Sequence, residues 1–158
     1  MKRIINTDVD ALDLTRNYHQ DNDMKPRGLW YAINYEWLAW CHGNMDHWIK
    51  PNNFSIDINI DKMLVISSRE EMNAMIIKYE IKMRESWAIK TMDWERVTKD
   101  YAGIEIRNYY SLRGSSPFEH LWVSGWDISS GYIWDLSIIK TVKNEKIKNK
   151  NYLCIAGE

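Results

Sequence analysis

A short apolar run held between a proline break and a helical segment constrains this chain more than any other feature. Lys25-Pro-Arg-Gly-Leu-Trp-Tyr-Ala32 is followed at once by Asn34-Tyr-Glu-Trp-Leu-Ala-Trp-Cys41. Proline turns the residue before it away from helix, so the pattern predicts a strand at Leu29–Ala32. Asn34 is a helix-capping residue type, and Trp37, Leu38 and Cys41 fall on one helical face. Together they predict a helix to about Cys41. Strand, turn and amphipathic helix in succession make a unit that can hold a flat ligand between backbone and aromatic rings.

The rest of the chain is read from the same signals. Arg3–Asn6 predicts a short strand, and the polar residues 7–24 a loop with one helical turn near Val9–Leu14. Ser55-Ile-Asp-Ile-Asn-Ile60 alternates with period two, the mark of a half-buried strand. Asp61-Lys62 gives a turn and Met63–Ser67 a further strand, so the pair predicts a hairpin. Ser68 with Glu71 three residues later is a capping box. The helix it opens keeps Met72, Met75, Ile76, Tyr79 and Met83 at helical spacing. Asp93 opens a shorter helix through Trp94, Val97 and Tyr101, ended by Gly103. Ile104–Ile106, Leu121–Ser124 and Tyr132–Asp135 read as strands, separated by a loop at 111–119 and a turn at Trp126–Gly131. Strands and helices mix without strict βαβ alternation. The expectation is one α+β domain over residues 1–158 with a largely antiparallel sheet. Residues from about 141 onward read as a basic tail or hairpin.

Composition narrows the function classes. A chain of 158 residues with 45% hydrophobic residues can bury a sizeable core. Nine Trp and nine Tyr stand against two Phe. Such rings carry a polar tip that seeks a hydrogen bond, and they serve either a Trp-rich core or a binding groove. A net charge of -1 supplies no global field toward nucleic acid or membrane. Lys140, Lys143, Lys146, Lys148 and Lys150 gather near the end. No apolar run approaches the roughly 20 residues that span a bilayer. The N-terminus turns polar at once, and Cys41 and Cys154 lie far apart, so the expected location is the reducing cytoplasm. His42 and His47 have no second ligand cluster, and no metal is expected. His120 has no nucleophile motif beside it. Arg113-Gly-Ser-Ser-Pro117 reads either as a flexible loop or as a phosphate contact. Glu105, inside a predicted strand, faces either a cleft or solvent.

Three segments taken together carry a resemblance. They are Gly28-Leu-Trp-Tyr-Ala32 with its following helix, Tyr101-Ala-Gly-Ile-Glu-Ile106, and Tyr132-Ile-Trp-Asp-Leu-Ser-Ile-Ile139. In this order and at these separations they resemble the ADP-ribosyltransferase superfamily. The resemblance implies an ADP-ribosyltransferase-like fold of split antiparallel sheets with a few short helices, and NAD as substrate in the cleft between them. A first-strand Arg or His usually helps place a ribose. The stretch read as corresponding is Asn6-Thr7-Asp8, a departure from that pattern, and Asn6 and Thr7 are its candidates for cofactor contact. The resemblance puts Leu29, Trp30, Tyr31 and Trp37 around nicotinamide, Lys25 and the backbone at Gly28 near the dinucleotide, and Tyr110 and Trp126 as further aromatic contacts. The catalytic carboxylate normally precedes the closing strand. Ser129-Ser130-Gly131 stands there, so the candidate is the nearest acid, Asp127; the other reading of Asp127 is an Asx turn.

Breaking the nicotinamide–ribose bond passes through an oxocarbenium-like state, as glycoside cleavage does. A fixed carboxylate stabilises that charge. The chain also resembles small phage-encoded proteins that begin Lys-Pro-x-Gly-Leu-Trp and close with Trp-Asp-x-x-Ser-Gly-x-Ile-Trp. That second likeness supplies no function by itself; taken with the first, the expectation is an ADP-ribosyltransferase-like phage effector or anti-defence factor in the host cytoplasm. Three readings stand open: an ADP-ribosyltransferase modifying a host protein, nucleic acid or nucleotide; a catalytically silent nucleotide- or protein-binding inhibitor with the same fold; and an interaction protein presenting exposed rings to a partner.

Overall fold

A computed structural model describes residues 1–21, 23–43, 45–82, 90–113 and 121–147. Seven strands form one curled sheet: β1 (Arg3–Thr7), β2 (Leu29–Ile33), β3 (Asn52–Ile58), β4 (Met63–Ile66), β7 (Gly103–Ile106), β8 (Ser130–Ile133) and β9 (Ile139–Asn144). Their order is β4-β7-β8-β2-β1-β3-β9. The pairing is antiparallel throughout except for β4 with β7. A small second sheet joins β5 (Glu80–Lys82) to β6 (Lys90–Met92). The helices are α1 (Glu36–Cys41), α2 (Arg69–Tyr79), α3 (Trp94–Asp100), α4 (Tyr109–Arg113) and α5 (Leu121–Ser124). The fold is α+β, as expected.

Alternation along the strands divides the sheet into two apolar faces. Ile66, Ile104 and Ile106 pack with Met72, Met75 and Tyr79 of α2 and with Trp94 and Val97 of α3. Ile5, Tyr31, Ile33, Phe54, Ile56 and Ile133 point to the opposite, concave face, where Leu12 and Tyr18 of the irregular segment after β1 pack on them. Helix α2 begins as its sequence requires: Ser68 accepts from the Glu71 amide and the Glu71 carboxylate accepts from the Ser68 amide.

Several expectations are corrected. The two strands at Asn52–Ile58 and Met63–Ile66 form no hairpin. β3 pairs with β1 and β9, whereas β4 lies at the other edge of the sheet beside β7. Alternation reveals that a segment is a strand but not which strand it meets. Leu121–Ser124 is helical, because a four-residue apolar run carries no decisive period. Tyr109–Arg113 is also helical, so the start of the loop expected at 111–119 is the end of a helix. Asn34 does not cap α1. It has left-handed φ (51°), its side chain accepts the Lys2 amide, and Tyr35 takes the cap position. Residues 139–144 form the edge strand β9, so the first residues of the segment read as a basic tail or hairpin are strand, and 148–158 lie outside the described residues. Met83, His120, Cys154 and residues 114–119 lie outside the described residues.

Gly131 decides how the concave face closes. A Cβ there would stand 2.4 Å from the Tyr31 ring and hydroxyl and 2.8 Å from the Ile104 carbonyl oxygen. Glycine in a strand marks such a close approach. Tyr31 therefore lies across β8 and reaches Glu105 of β7. Gly131→Ala is expected to cost about 1–3 kcal/mol by overpacking, read as a lower urea midpoint with an unchanged m-value.

Candidate functional site

The three segments that carry the resemblance become three consecutive strands, β7-β8-β2. Their register runs Ile104↔Tyr132↔Trp30 and Glu105↔Gly131↔Tyr31. No split separates β2 from β8, which are hydrogen-bonded neighbours. The open space lies instead beyond one end of these strands. It is a cleft of about 550 Å³, within the range of roughly 300–1,000 Å³ typical of small-molecule sites. Helix α1, which follows β2, lends Glu36, Ala39 and Trp40. The link from β7 to α4 lends Asn108, α4 lends Tyr110 and Ser111, and the approach to β8 lends Ser129.

Glu36 is the residue that sequence reasoning missed. Its Oε2 accepts the Ser129 backbone N–H at 3.0 Å, and the Ser129 hydroxyl also bonds to it. A carboxylate from α1 thus lies against the residue that precedes β8. Burial raises its pKa, partly offset by the Ser129 bonds. A raised folded-state pKa means that Glu36 favours folding below its unfolded-state value. That contribution is lost as pH rises through the folded-state value.

Backbone strain gathers around the same cleft. Asn34, Asn108 and Asp127 are the described non-glycine residues with left-handed φ: 51°, 53° and 65°. Asn34 leads into α1, Asn108 lines the cleft, and Asp127 precedes Ile128-Ser129. At Asp127 the chain makes a three-residue turn, the Ile128 amide donating to the Trp126 carbonyl at 2.7 Å. Non-glycine residues in this region cost of order 1–3 kcal/mol each and cluster at functional sites. The Asp127 backbone N–H donates to the Tyr109 hydroxyl. Burial raises the Tyr110 pKa; the negative charges of Glu36 and Asp127 add to this and the positive charge of Arg113 opposes it. The two carboxylates and Arg113 therefore act on one phenol at the cleft.

The other sequence-derived candidates scatter. Trp30 and Trp37 meet edge to face, their ring centroids 5.1 Å apart, and Trp37 stacks on Trp40 of the cleft wall. Tyr31, next to Trp30, points to the other face and is buried, its hydroxyl donating to Glu105 Oε2 at 2.7 Å. Asn6 bonds to Lys50 and Asn53, and the Thr7 hydroxyl accepts the Val9 amide. Both sit at the opposite end of β1 from Arg3. Gly28 and Leu29 lie against Ile133, where the close approach at Gly28 is filled by the β8 backbone. Lys25 lies along Gly125. Trp126 is buried edge to face on Tyr132, whose pKa is pushed up to about 12 by burial and then by Asp127. Of these sequence-derived candidates, Tyr110 lines the cleft, Asp127 lies two residues before the cleft-lining Ser129, and Trp30 and Trp37 belong to the rings beside it.

Beneath the concave face lies a charged network. Arg3 Nε donates to Glu105 Oε2 at 2.6 Å, and Arg107 Nε donates to Glu105 Oε1 at 2.6 Å. Across a flat sheet, β1 and β7 would lie about 14 Å apart at a strand spacing near 4.8 Å. Curling, and the absence of a side chain at Gly131, bring Arg3 and Glu105 into contact. Glu105 therefore faces neither cleft nor solvent; it is wholly buried. Burial alone would raise its pKa, but Arg3, Tyr31 and Arg107 together hold it below the usual carboxylate range. Cys41 offers no nucleophile: burial, then Asp46, pushes its thiol up to about 11.

Compared with known proteins, the chain matches no family model, no curated protein and no solved structure. Among the described residues, no helix is long and apolar enough to cross a membrane.

Proposed function

We propose that the cleft binds NAD and that the chain is an ADP-ribosyltransferase-like protein in which Glu36 supplies the carboxylate the closing strand lacks. The observation that carries this reading is the hydrogen bond from the Ser129 amide to the Glu36 carboxylate at the entry to β8. Two further features support it. Gly28–Ala32, Gly103–Ile106 and Ser130–Ile133 fall into adjacent strands at one end of which the cleft opens. Trp40 and Tyr110, lent by two different helices, offer ring faces for nicotinamide or adenine. The first strand does carry an arginine, Arg3, but it is buried against Glu105 and is not among the residues that line the cleft.

In this reading the bond between ribose C1′ and the nicotinamide nitrogen breaks, and its electron pair leaves with nicotinamide. Positive charge grows on the ribose. The desolvated Glu36 carboxylate, fixed by Ser129, opposes that charge without reorganising. An acceptor nucleophile, or water, then bonds to C1′ and gives up a proton. The setting that follows from the phage likeness is a host cytoplasm, with a host protein or nucleotide as acceptor.

One feature favours a second reading, a silent binder with the same fold: Ser129-Ser130 stands where the family carries its glutamate. Incubation with NAD separates the two. Release of free nicotinamide, followed by chromatography, supports the enzyme. A calorimetric binding signal without release supports the silent binder, and no heat at millimolar NAD removes both.

A further inference from the structure

The cleft carries a negative charge that the protein itself leaves without a counter-ion. Glu36 is partly buried, and of the described residues that line the cleft it alone bears a formal charge. Ser129 holds it through its amide and hydroxyl, but both are neutral donors. None of the ion pairs among the described residues includes Glu36 or Asp127. Both carboxylates act on the Tyr110 hydroxyl at the cleft wall. The positive charge of Arg113 opposes them there, but Arg113 is not a lining residue. Charges taken out of water are ordinarily paired or coordinate a metal. Among the described residues no group of three or more His, Cys, Asp or Glu could hold a metal ion. The counter-charge that fits is therefore an organic cation.

The walls narrow the kind of cation. Trp40 is already stacked on Trp37, so the ring that counts is Tyr110, which lines the cleft and is 60% exposed. Tyr109 meets it edge-on at 65°. A cation within about 6 Å of such a ring is attracted by the negative ring face. Ala39, a small residue, leaves room on the α1 side for a flat group. Asn108, Ser111 and Ser129 bring amide and hydroxyl groups of the kind that bind sugar hydroxyls. A diphosphate finds no such answer. Its recognition ordinarily draws on Arg or Lys, and no described lining residue is cationic. We infer that the cleft recognises the positive ring of an N-ribosylated pyridinium, the oxidised nicotinamide end of NAD, and leaves the diphosphate outside. This inference rests on the reading of the cleft as an NAD site and adds which half of the molecule anchors it. It has a chemical consequence. The ring is cationic while bonded to ribose and neutral once released, so the cleft holds substrate more firmly than free nicotinamide.

The test is a set of calorimetric titrations with ligands that separate charge from phosphate. On the unaltered protein, nicotinamide methylated at its ring nitrogen should bind about two- to thirtyfold more tightly than neutral nicotinamide, the span of a cation–ring contact. NAD should bind more tightly than NADH by a similar factor, because the two share their phosphates and differ in ring charge. Nicotinamide riboside should bind more tightly than ADP-ribose, which has the phosphates and no pyridinium. In Glu36→Gln the methylated and neutral rings should become nearly equal. The affinity lost there should stay well below the loss of rate, because the ribosyl charge exists only while the bond breaks. Equal binding of the methylated and neutral rings to the unaltered protein overturns the inference. So does ADP-ribose binding as tightly as the riboside, a charge preference unaltered in folded Glu36→Gln, or no binding by any of these ligands. NAD anchored through its ADP-ribose half would keep the NAD site and remove this inference. Riboside binding without NAD binding would keep this inference and remove the dinucleotide site.

Discussion

Replacing Glu36 by Gln is expected to slow nicotinamide release from NAD by about 10²–10³-fold, the usual cost of losing one preorganised electrostatic partner. Gln is nearly isosteric and keeps an oxygen to accept the Ser129 amide, so the cleft should keep its shape. NAD affinity should change far less than the rate, because the lost interaction acts on charge that exists only in the transition state. Burial has raised the Glu36 pKa, so the ionised form is complete only above that raised value. If the proposed reaction occurs, its rate in the unaltered protein should therefore rise with pH through the Glu36 titration, and that limb should vanish in Glu36→Gln. Asp127→Asn separates the two acids at Tyr110. If Asp127→Asn removes the acid limb and Glu36→Gln does not, the carboxylate role passes to Asp127.

Glu105→Gln is expected to lower stability by about 3–5 kcal/mol, the range for breaking a buried ion pair from one side. The substitution leaves Arg3, whose side chain is 9% exposed, without its counter-charge. It also takes a charged acceptor from the buried Tyr31 hydroxyl. Arg107 is 31% exposed and has another option, to turn toward water. Arg107→Ala should accordingly cost much less, about 0–1 kcal/mol. An Arg3→Met/Glu105→Leu double variant should recover much of the loss, since an apolar pair of similar volume avoids desolvating either charge. Because the Glu105 pKa is lowered, its contribution to folding is present above the unfolded-state value, about 4.3. It is lost as pH falls through the lower folded-state value. Urea denaturation between pH 7 and pH 3 should therefore show a shallower acid decline in Glu105→Gln than in the unaltered protein.

What the residues revealed, and what they hid, follows from the range of each interaction. β1, β2 and β7 were legible because glycine, proline and apolar runs are local signals. The α2 capping box was legible for the same reason. Partnerships were not: Arg3 and Glu105 are separated by 102 positions, and nothing local to either names the other. One clue existed. A charged residue inside Gly-Ile-Glu-Ile implies a buried partner if both strand neighbours are covered, and β7 lies between β4 and β8. Glu36 was hidden by a bland alternative. An acid in the first turn of a helix ordinarily complements the helix dipole, so its placement between Tyr35 and Trp37 carries no distinct signal. Its proposed role depends on Ser129, brought against it only when β8 pairs with β2. The tryptophans divided in a way that composition could not foresee: Trp94, Trp122 and Trp126 are core, whereas Trp37, Trp40 and Trp48 meet near the cleft.

The most direct measurement is a calorimetric titration of NAD into the unaltered protein and into Ala39→Trp. Ala39 lines the cleft from the partly exposed side of α1, and an indole there would fill the space between Glu36 and Tyr110. The expected result is saturable NAD binding to the unaltered chain and its loss in Ala39→Trp, with both proteins equally folded by circular dichroism. Equal NAD affinity in the two proteins, or no binding to either, would contradict a dinucleotide site at the mouth of β2, β7 and β8.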